Sequence, residues 1–270
     1  MKNLTIRAVI FDWAGTTVDH GCFAPVAPFI AALASMDVAI SPAEARVPMG
    51  LHKRDHLLAL LNDASIASRF RERHHRDWNE GDIDRMFTTF VTAQLTSIRE
   101  HATLIPGVLE TAAELRNRGI GIGGTTGYFR EAARIIMDMA AEQGYQPDLA
   151  LTPEDVTGGG RPWPWMIYRI LEHLRVCPAA CAVKIGDTIP DMEEGRNAGV
   201  WTIGVLHTGS LVGLTATELQ ALPGEVRQAK ISHARRTLMR AGAHLVIDSV
   251  ADVPTLIDDL NARLATGDCP

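Results

Sequence analysis

Apolar residues open the chain as one run, Ile6, Ala8, Val9, Ile10 and Phe11, which stops at Asp12 and a Gly-Thr-Thr turn. A short run without polar alternation predicts a strand buried on both faces of a parallel sheet. The pattern then changes period. Between about Phe23 and about Glu100, apolar positions recur three and four apart: Val26, Phe29, Ile30 and Leu33, then Leu57, Leu58, Leu60 and Leu61, then Met86, Phe87, Phe90, Val91, Leu95 and Ile98. This stretch reads as helices with one buried face each. From Pro106-Gly107 onward the periods alternate. They predict helix over 108–118, strand over 119–126, helix over 130–143, strand over 149–152, helix over 165–174, strand over 181–185, helix over 191–198, strand over 201–205, and a last strand at 245–247 before a terminal helix. Such alternation implies a parallel sheet covered on both faces. The predicted fold class is therefore α/β: a doubly wound, Rossmann-like parallel sheet of residues 1–20 and 101–270, with an α-helical cap of residues 21–100 inserted after the first strand. The closing A-T-G-D-C-P predicts a frayed tail.

In open α/β sheets ligands sit off the carboxyl ends of the strands, so Asp12 is placed by topology as well as by residue type. Three later loops converge on the same edge. G-G-T-T-G-Y offers hydroxyls and backbone N–H groups for anionic oxygens beside a helix start. Gly158-Gly159-Gly160-Arg161-Pro162 offers a planar cation able to grip two oxygens at once. G-D-T-I-P-D sets Asp187 and Asp191 four residues apart, a spacing that suits one direct metal carboxylate and one supporting partner. An aspartate after a buried strand is equally often a helix cap or turn residue; it is the co-occurrence in chain order that points to chemistry.

At 270 residues with 46% hydrophobic content and a net charge of −6, the chain suffices for one large core and a smaller module. No stretch approaches the roughly 20 apolar residues of a membrane span, and the start M-K-N-L-T-I-R-A-V-I-F-D shows no signal-peptide cleavage pattern. The expectation is a cytoplasmic enzyme acting on a small molecule, with no membrane partner. Cys22, Cys177, Cys181 and Cys269 are irregularly spaced and lack a zinc-type cluster, so they read as reduced thiols. The run Arg69 to Arg76 is interleaved with Glu72, His74 and His75 and reads as a solvated helix face, which argues against nucleic-acid binding.

The first segment, F-D-W-A-G-T-T-V-D, resembles the D-x-D-x-[TV] loop of the haloacid dehalogenase superfamily, in which the first aspartate is the nucleophile and the second a general acid/base. Position 14 is here Ala14, which has no proton to give a departing alkoxide. With P-M-G-L-x-K and G-D-T-x-x-D-M-x-E-G-x-N-A-G-x-W-T, both present, the chain is similar over nearly its whole length to the phosphonatase family (phosphonoacetaldehyde hydrolases) of that superfamily. The resemblance implies cleavage of the carbon–phosphorus bond of phosphonoacetaldehyde, formed by transamination of 2-aminoethylphosphonate. It implies a nucleophile at Asp12, a Schiff-base lysine at Lys53, phosphate binding by Thr126 and Arg161, and Mg²⁺ held by Asp12, the Ala14 carbonyl and Asp187 with Asp191 behind. Cys22, Met49, His56 and Tyr128 are implied as cleft residues, His56 as a proton shuttle or a packing residue, and the assembly as a homodimer. The stripe at Val26, Phe29 and Ile30 would serve either as that interface or as the cap's own core.

The missing acid fits this chemistry. A carbon leaving group needs its electron pair absorbed rather than its oxygen protonated, and a lysine imine does that by becoming an enamine. An exposed lysine near pKa 10.4 is almost wholly charged at neutral pH, so Lys53 has to be desolvated or placed near a cation, with Arg54 and His56 as candidate tuners. The alternative is a phosphate-ester phosphatase or phosphomutase of the same superfamily, which wants an acid at position 14. Two stretches depart from the family pattern, G-G-T-T and the triple glycine before Arg161; both are expected to add backbone freedom. His52 is also less apolar than expected next to a desolvated lysine.

Overall fold

The computed structural model describes residues 4–270, so the Met1–Asn3 part of the amino-terminal reading lies outside the described residues. The elements run β1 (Ala8–Phe11), α1 (Val26–Ala34), α2 (Pro42–Arg46), α3 (Lys53–Asn62), α4 (Ala64–His74), α5 (Glu80–Glu100), α6 (Val108–Asn117), β2 (Gly121–Thr125), α7 (Arg130–Glu142), β3 (Leu149–Leu151), α8 (Trp165–Leu174), β4 (Ala182–Gly186), α9 (Ile189–Ala198), β5 (Trp201–Val205), α10 (Ala216–Ala221), α11 (Gly224–Arg240), β6 (Leu245–Ile247) and α12 (Val253–Ala265). All six strands are parallel, in the order β3-β2-β1-β4-β5-β6. The order reverses between β1 and β4, so Asp12, one residue past β1, sits at the topological switch point.

Strand β1 is apolar throughout because it is central: Ala8, Val9 and Ile10 have no exposed surface and pair with β2 on one side and β4 on the other. Helix α9 begins two residues earlier than the periodicity predicts. Thr188 caps it, accepting the Asp191 N–H while the Asp191 carboxylate accepts the Thr188 N–H. The two glycine-rich departures are close-packing positions rather than loose ones. Gly123 and Gly124 lie within β2 itself, where a Cβ would come 2.5 Å from Ile170 Cγ2 and 2.9 Å from Trp13 Nε1. Gly158 is covered by the Trp165 indole, 2.1 Å from where its Cβ would be, and Gly160 by Pro153 at 2.8 Å. Of the triple, Gly159 is the one that meets the left-handed requirement, with φ of +86°.

Five helices, α1 to α5, lie between β1 and β2 in the chain. The chain leaves the core at Asp19, whose buried carboxylate accepts the N–H groups of Phe23 (2.9 Å) and Ala24 (2.8 Å). Val26 and Phe29 turn inward against α5, with Phe29 and Phe90 ring centroids 4.3 Å apart and both rings fully buried. Burial of that kind stabilises by about 2–3 kcal/mol per ring, so these two residues form the helical module's own core. The Arg69–Arg76 run is neutralised locally: Arg69 pairs with Glu44, Arg71 with Asp77, Arg73 with Asp37, and Arg76 with the buried Asp82. The four cysteines are free thiols. Among the described residues no helix is long and apolar enough to cross a membrane.

Candidate active site

The loop after β1 is tied down by its own threonines. Thr17 Oγ1 donates to the Asp12 carbonyl at 3.1 Å, and Thr16 Oγ1 donates to Asp187 Oδ1 at 3.2 Å. Gly15, at φ +83°, passes so close to Asp187 that a Cβ would lie 2.5 Å from Oδ2. Asp12 is thereby held at the edge of a narrow chamber of about 20 Å³ lined by Asp12, Ala14, Cys22, Met49, Gly50, Lys53, Thr126, Gly127, Tyr128, Arg161 and Thr188. Of the residues that the resemblance implies for the site, all line this chamber except Asp187, Asp191 and His56.

Arg161 is 4% exposed and has all three guanidinium nitrogens engaged. Nη2 lies 2.8 Å from Asp12 Oδ1, Nη1 lies 2.9 Å from Asp191 Oδ1, and Nε lies 3.1 Å from Glu194 Oε2. Burial alone would lower its pKa, but these three carboxylates raise it, so it stays charged. The other Asp12 oxygen accepts no hydrogen bond among the described residues. Thr126 Oγ1 accepts the Tyr128 N–H at 3.1 Å, which leaves its hydroxyl proton free for a ligand oxygen.

Asp187 is fully buried, and its carboxyl is pushed well up by burial and by Asp12 and Asp191. Carboxylate oxygens of Asp12, Asp187 and Asp191 lie within 4.8 Å of one another, an arrangement that calls for a cation. Asp191 already has partners in Arg161, Lys184 and Thr188, and these cations lower its pKa against the effect of burial. The donors available to a hard divalent ion are the unengaged Asp12 oxygen, the Asp187 carboxylate, which accepts from Thr16 and Ser210 but pairs with no cation among the described residues, and the Ala14 carbonyl, to which no donor is directed.

Lys53 begins α3 and is 4% exposed. Burial, with a smaller contribution from Arg161, lowers its pKa from 10.5 to about 8 against the opposing pull of Cys22, Asp12 and Asp19. The candidate tuner Arg54 is corrected: it points outward to Glu80 (2.7 Å) and Asp84 (2.9 Å). Lys53 is buried despite the polar His52 beside it. His56 stacks on Phe29, centroids 3.6 Å apart, and its Nε2 contacts the Ala45 carbonyl at 2.9 Å. Burial, and then Lys53, hold this imidazole well below its usual pKa, and Nδ1 is buried without a partner among the described residues. The Cys22 thiol and the Tyr128 hydroxyl are both pushed well up, chiefly by burial.

Four contributors were not singled out from the sequence. The loop after β5 holds Asp187 and the loop after β1: Ser210 N–H donates to Asp187 Oδ2 at 2.7 Å, and Thr208 Oγ1 donates to the Gly15 carbonyl at 2.7 Å. Its signal was T-G-S at the end of a fifth buried strand. Lys184 and Glu194, both fully buried, lie beneath Arg161; their signal was charge inside the apolar run A-V-K-I-G and on the inward face of α9.

Residues 6–199 match the model of the haloacid dehalogenase-like hydrolase family. A phosphonoacetaldehyde hydrolase of Nitratidesulfovibrio vulgaris is 42% identical over 98% of this chain and 94% of its own length. One from Vibrio cholerae is 40% identical over the whole of both chains. The crystal structure of a phosphonoacetaldehyde hydrolase-like protein from Oleispira antarctica superposes with a TM-score of 0.95 at 39% identity, covering 99% of this chain and 97% of that one.

Proposed function

The chain belongs to the haloacid dehalogenase-like hydrolases and, within them, to the phosphonoacetaldehyde hydrolases, and on that footing we propose how its residues divide the reaction. The reaction is cleavage of the carbon–phosphorus bond of phosphonoacetaldehyde to acetaldehyde and phosphate. The observation that carries the reading is the burial of Lys53, with an amine pKa of about 8, in the same chamber as Asp12.

Free Lys53 amine adds to the aldehyde carbon, and loss of water leaves a protonated imine. The unengaged Asp12 oxygen attacks phosphorus in line. The carbon–phosphorus bond breaks, its electron pair enters the imine to give an enamine, and an aspartyl phosphate forms. Protonation of the enamine carbon and hydrolysis release acetaldehyde and Lys53, and a second water releases phosphate from Asp12. Ala14 suits this sequence because no alkoxide has to be protonated. Arg161 keeps Asp12 aligned, and Thr126 donates to a phosphoryl oxygen. Asp12, Asp187 and the Ala14 carbonyl would hold the divalent cation, Mg²⁺ in this reading. When bound, it supplies positive charge that offsets repulsion between carboxylate and phosphonate.

In this reading residues 21–100 form a cap over the chamber, and the enzyme works as a cytoplasmic homodimer on a small molecule, without nucleic acid. The bracketing of α1 to α5 by β1 and β2 supports the cap; the dimer rests on family resemblance and is tested by sedimentation. The deciding experiment is borohydride trapping with phosphonoacetaldehyde and peptide mapping. An adduct on Lys53 that disappears in Lys53→Arg, together with loss of phosphate release, supports the imine route. Normal turnover of Lys53→Arg overturns it.

A further inference from the structure

Beneath the chamber lies a buried charge cluster that the mechanism above leaves without a task. Lys184 Nζ donates to Thr125 Oγ1 at 2.7 Å and lies 2.9 Å from Asp191 Oδ1 and 3.3 Å from Glu194 Oε2. Thr125 Oγ1 donates in turn to Glu194 Oε2 at 3.0 Å, and the Thr125 carbonyl accepts from Arg161 Nη2 at 2.7 Å. The space for the cluster is built by two glycines: a Cβ on Gly186 would lie 2.2 Å from Asp191 Cγ, and one on Gly195 would lie 3.1 Å from Lys184 Cβ.

Three carboxylates therefore compete for the single guanidinium of Arg161, and two of them, Asp191 and Glu194, do not line the chamber. Charges buried together interact strongly because little water screens them. Without a second cation, Asp191 and Glu194 would draw Arg161 down and off Asp12. We propose that Lys184 and Glu194 are positioning residues for phosphoryl transfer. Glu194 fixes the Nε edge of the guanidinium, and Lys184 neutralises Asp191 and Glu194 so that Nη2 stays on Asp12. The role extends the reading of Asp12 as nucleophile and rests on it. An apolar residue would satisfy the sheet at position 184 equally well, so the lysine answers to the charges around it.

The test uses the full chain with Mg²⁺ and compares Lys184→Met, Glu194→Gln and the double variant. Two half-reactions are read separately: labelling of Asp12 from phosphonoacetaldehyde carrying radioactive phosphorus, and borohydride trapping of acetaldehyde on Lys53. Each single variant is expected to slow Asp12 labelling by about 10²-fold, the scale of losing one preorganised electrostatic contact, with KM within about threefold and imine trapping unchanged. The double variant, which removes one cation and one anion together, is expected to recover about tenfold over Lys184→Met. Labelling at the wild-type rate in both single variants overturns the proposal, as does a parallel fall of labelling and trapping. Should Lys184→Met not fold, the near-isosteric Glu194→Gln decides alone by the same criteria. Wild-type protein that takes no label on Asp12 overturns the nucleophile reading and this proposal together; a labelled wild type with unaffected variants overturns only this one.

Discussion

The Lys53 ammonium nitrogen lies 4.5 Å from the centroid of the Tyr128 ring, above its face. A ring face favours the cation by roughly 0.5–2 kcal/mol. Even so, burial moves the lysine pKa down to about 8. Desolvation therefore outweighs the ring, and the ring's use is to fix where the nitrogen points.

At pH 7 a lysine with a pKa of about 8 is free amine about one time in ten, against about one in three thousand at the ordinary value. The rate of imine trapping should rise about tenfold per pH unit below 8 and level off above it. A trapping profile that keeps climbing to pH 10 would show an ordinary, solvated lysine.

The same shift sets a stability dependence. The folded pKa of Lys53 lies below its unfolded value, so folding costs are full below about pH 8 and disappear as pH rises towards about 10.5. Lys53→Met should therefore be inactive yet more stable at pH 7, by up to about 3 kcal/mol, with the gain shrinking in alkaline buffer. Urea unfolding at pH 7 and pH 10 checks both the sign and the window.

Chelation of the divalent ion should abolish phosphate release. Burial, Asp12 and Asp191 push the Asp187 carboxyl up, so in the ion-free protein its stability contribution is present at low pH and lost as pH rises through the raised pKa. Mg²⁺ at about a hundred times its Kd should stabilise by about 2.7 kcal/mol, or roughly 5–10 °C in Tm, and more at alkaline than at acid pH. Asp187→Asn should show no Mg²⁺-dependent rise in scanning calorimetry.

Gly50 has a φ of +97°, and a Cβ there would lie 2.2 Å from Thr188 Oγ1; one on Gly127 would lie 2.5 Å from the Leu51 carbonyl oxygen. Alanine at either position should leave a folded protein with kcat/KM reduced about tenfold or more, through a strain on the order of 1–3 kcal/mol. Gly224→Ala, where nothing lies within 4 Å, is the control and should be neutral in steady-state assays.

The strand–helix alternation and the placement of Asp12 were legible because apolar runs and their polar stops follow from burial in a central parallel strand. The stretch 206–244 was not read, for a physical reason. Helix α11 buries only Ala234 and Leu238 along 17 residues, too thin a stripe to register as a period. Loop 208–210 escaped with it, although the rule that found the other loops applied to it. The glycines at 123, 124, 158 and 160 were misjudged as freedom because a sequence does not display Ile170, Trp13, Trp165 and Pro153 lying against them. Lys184 and Glu194 were visible as charges in buried positions, but their partners come from four separate elements.

The chamber holds about 20 Å³, room for about one water and far less than phosphonoacetaldehyde needs. Gly50 packs against Thr188, and Gly127 against the Leu51 carbonyl; an opening that parts them would let water reach Lys53 and return it towards the protonated form of an ordinary lysine. Stray carbonyl compounds too bulky to be enclosed thus meet an inert ammonium. Enclosure acts as a safety catch: the amine is reactive only while the chamber excludes water, which spares the enzyme from becoming a general scavenger of aldehydes.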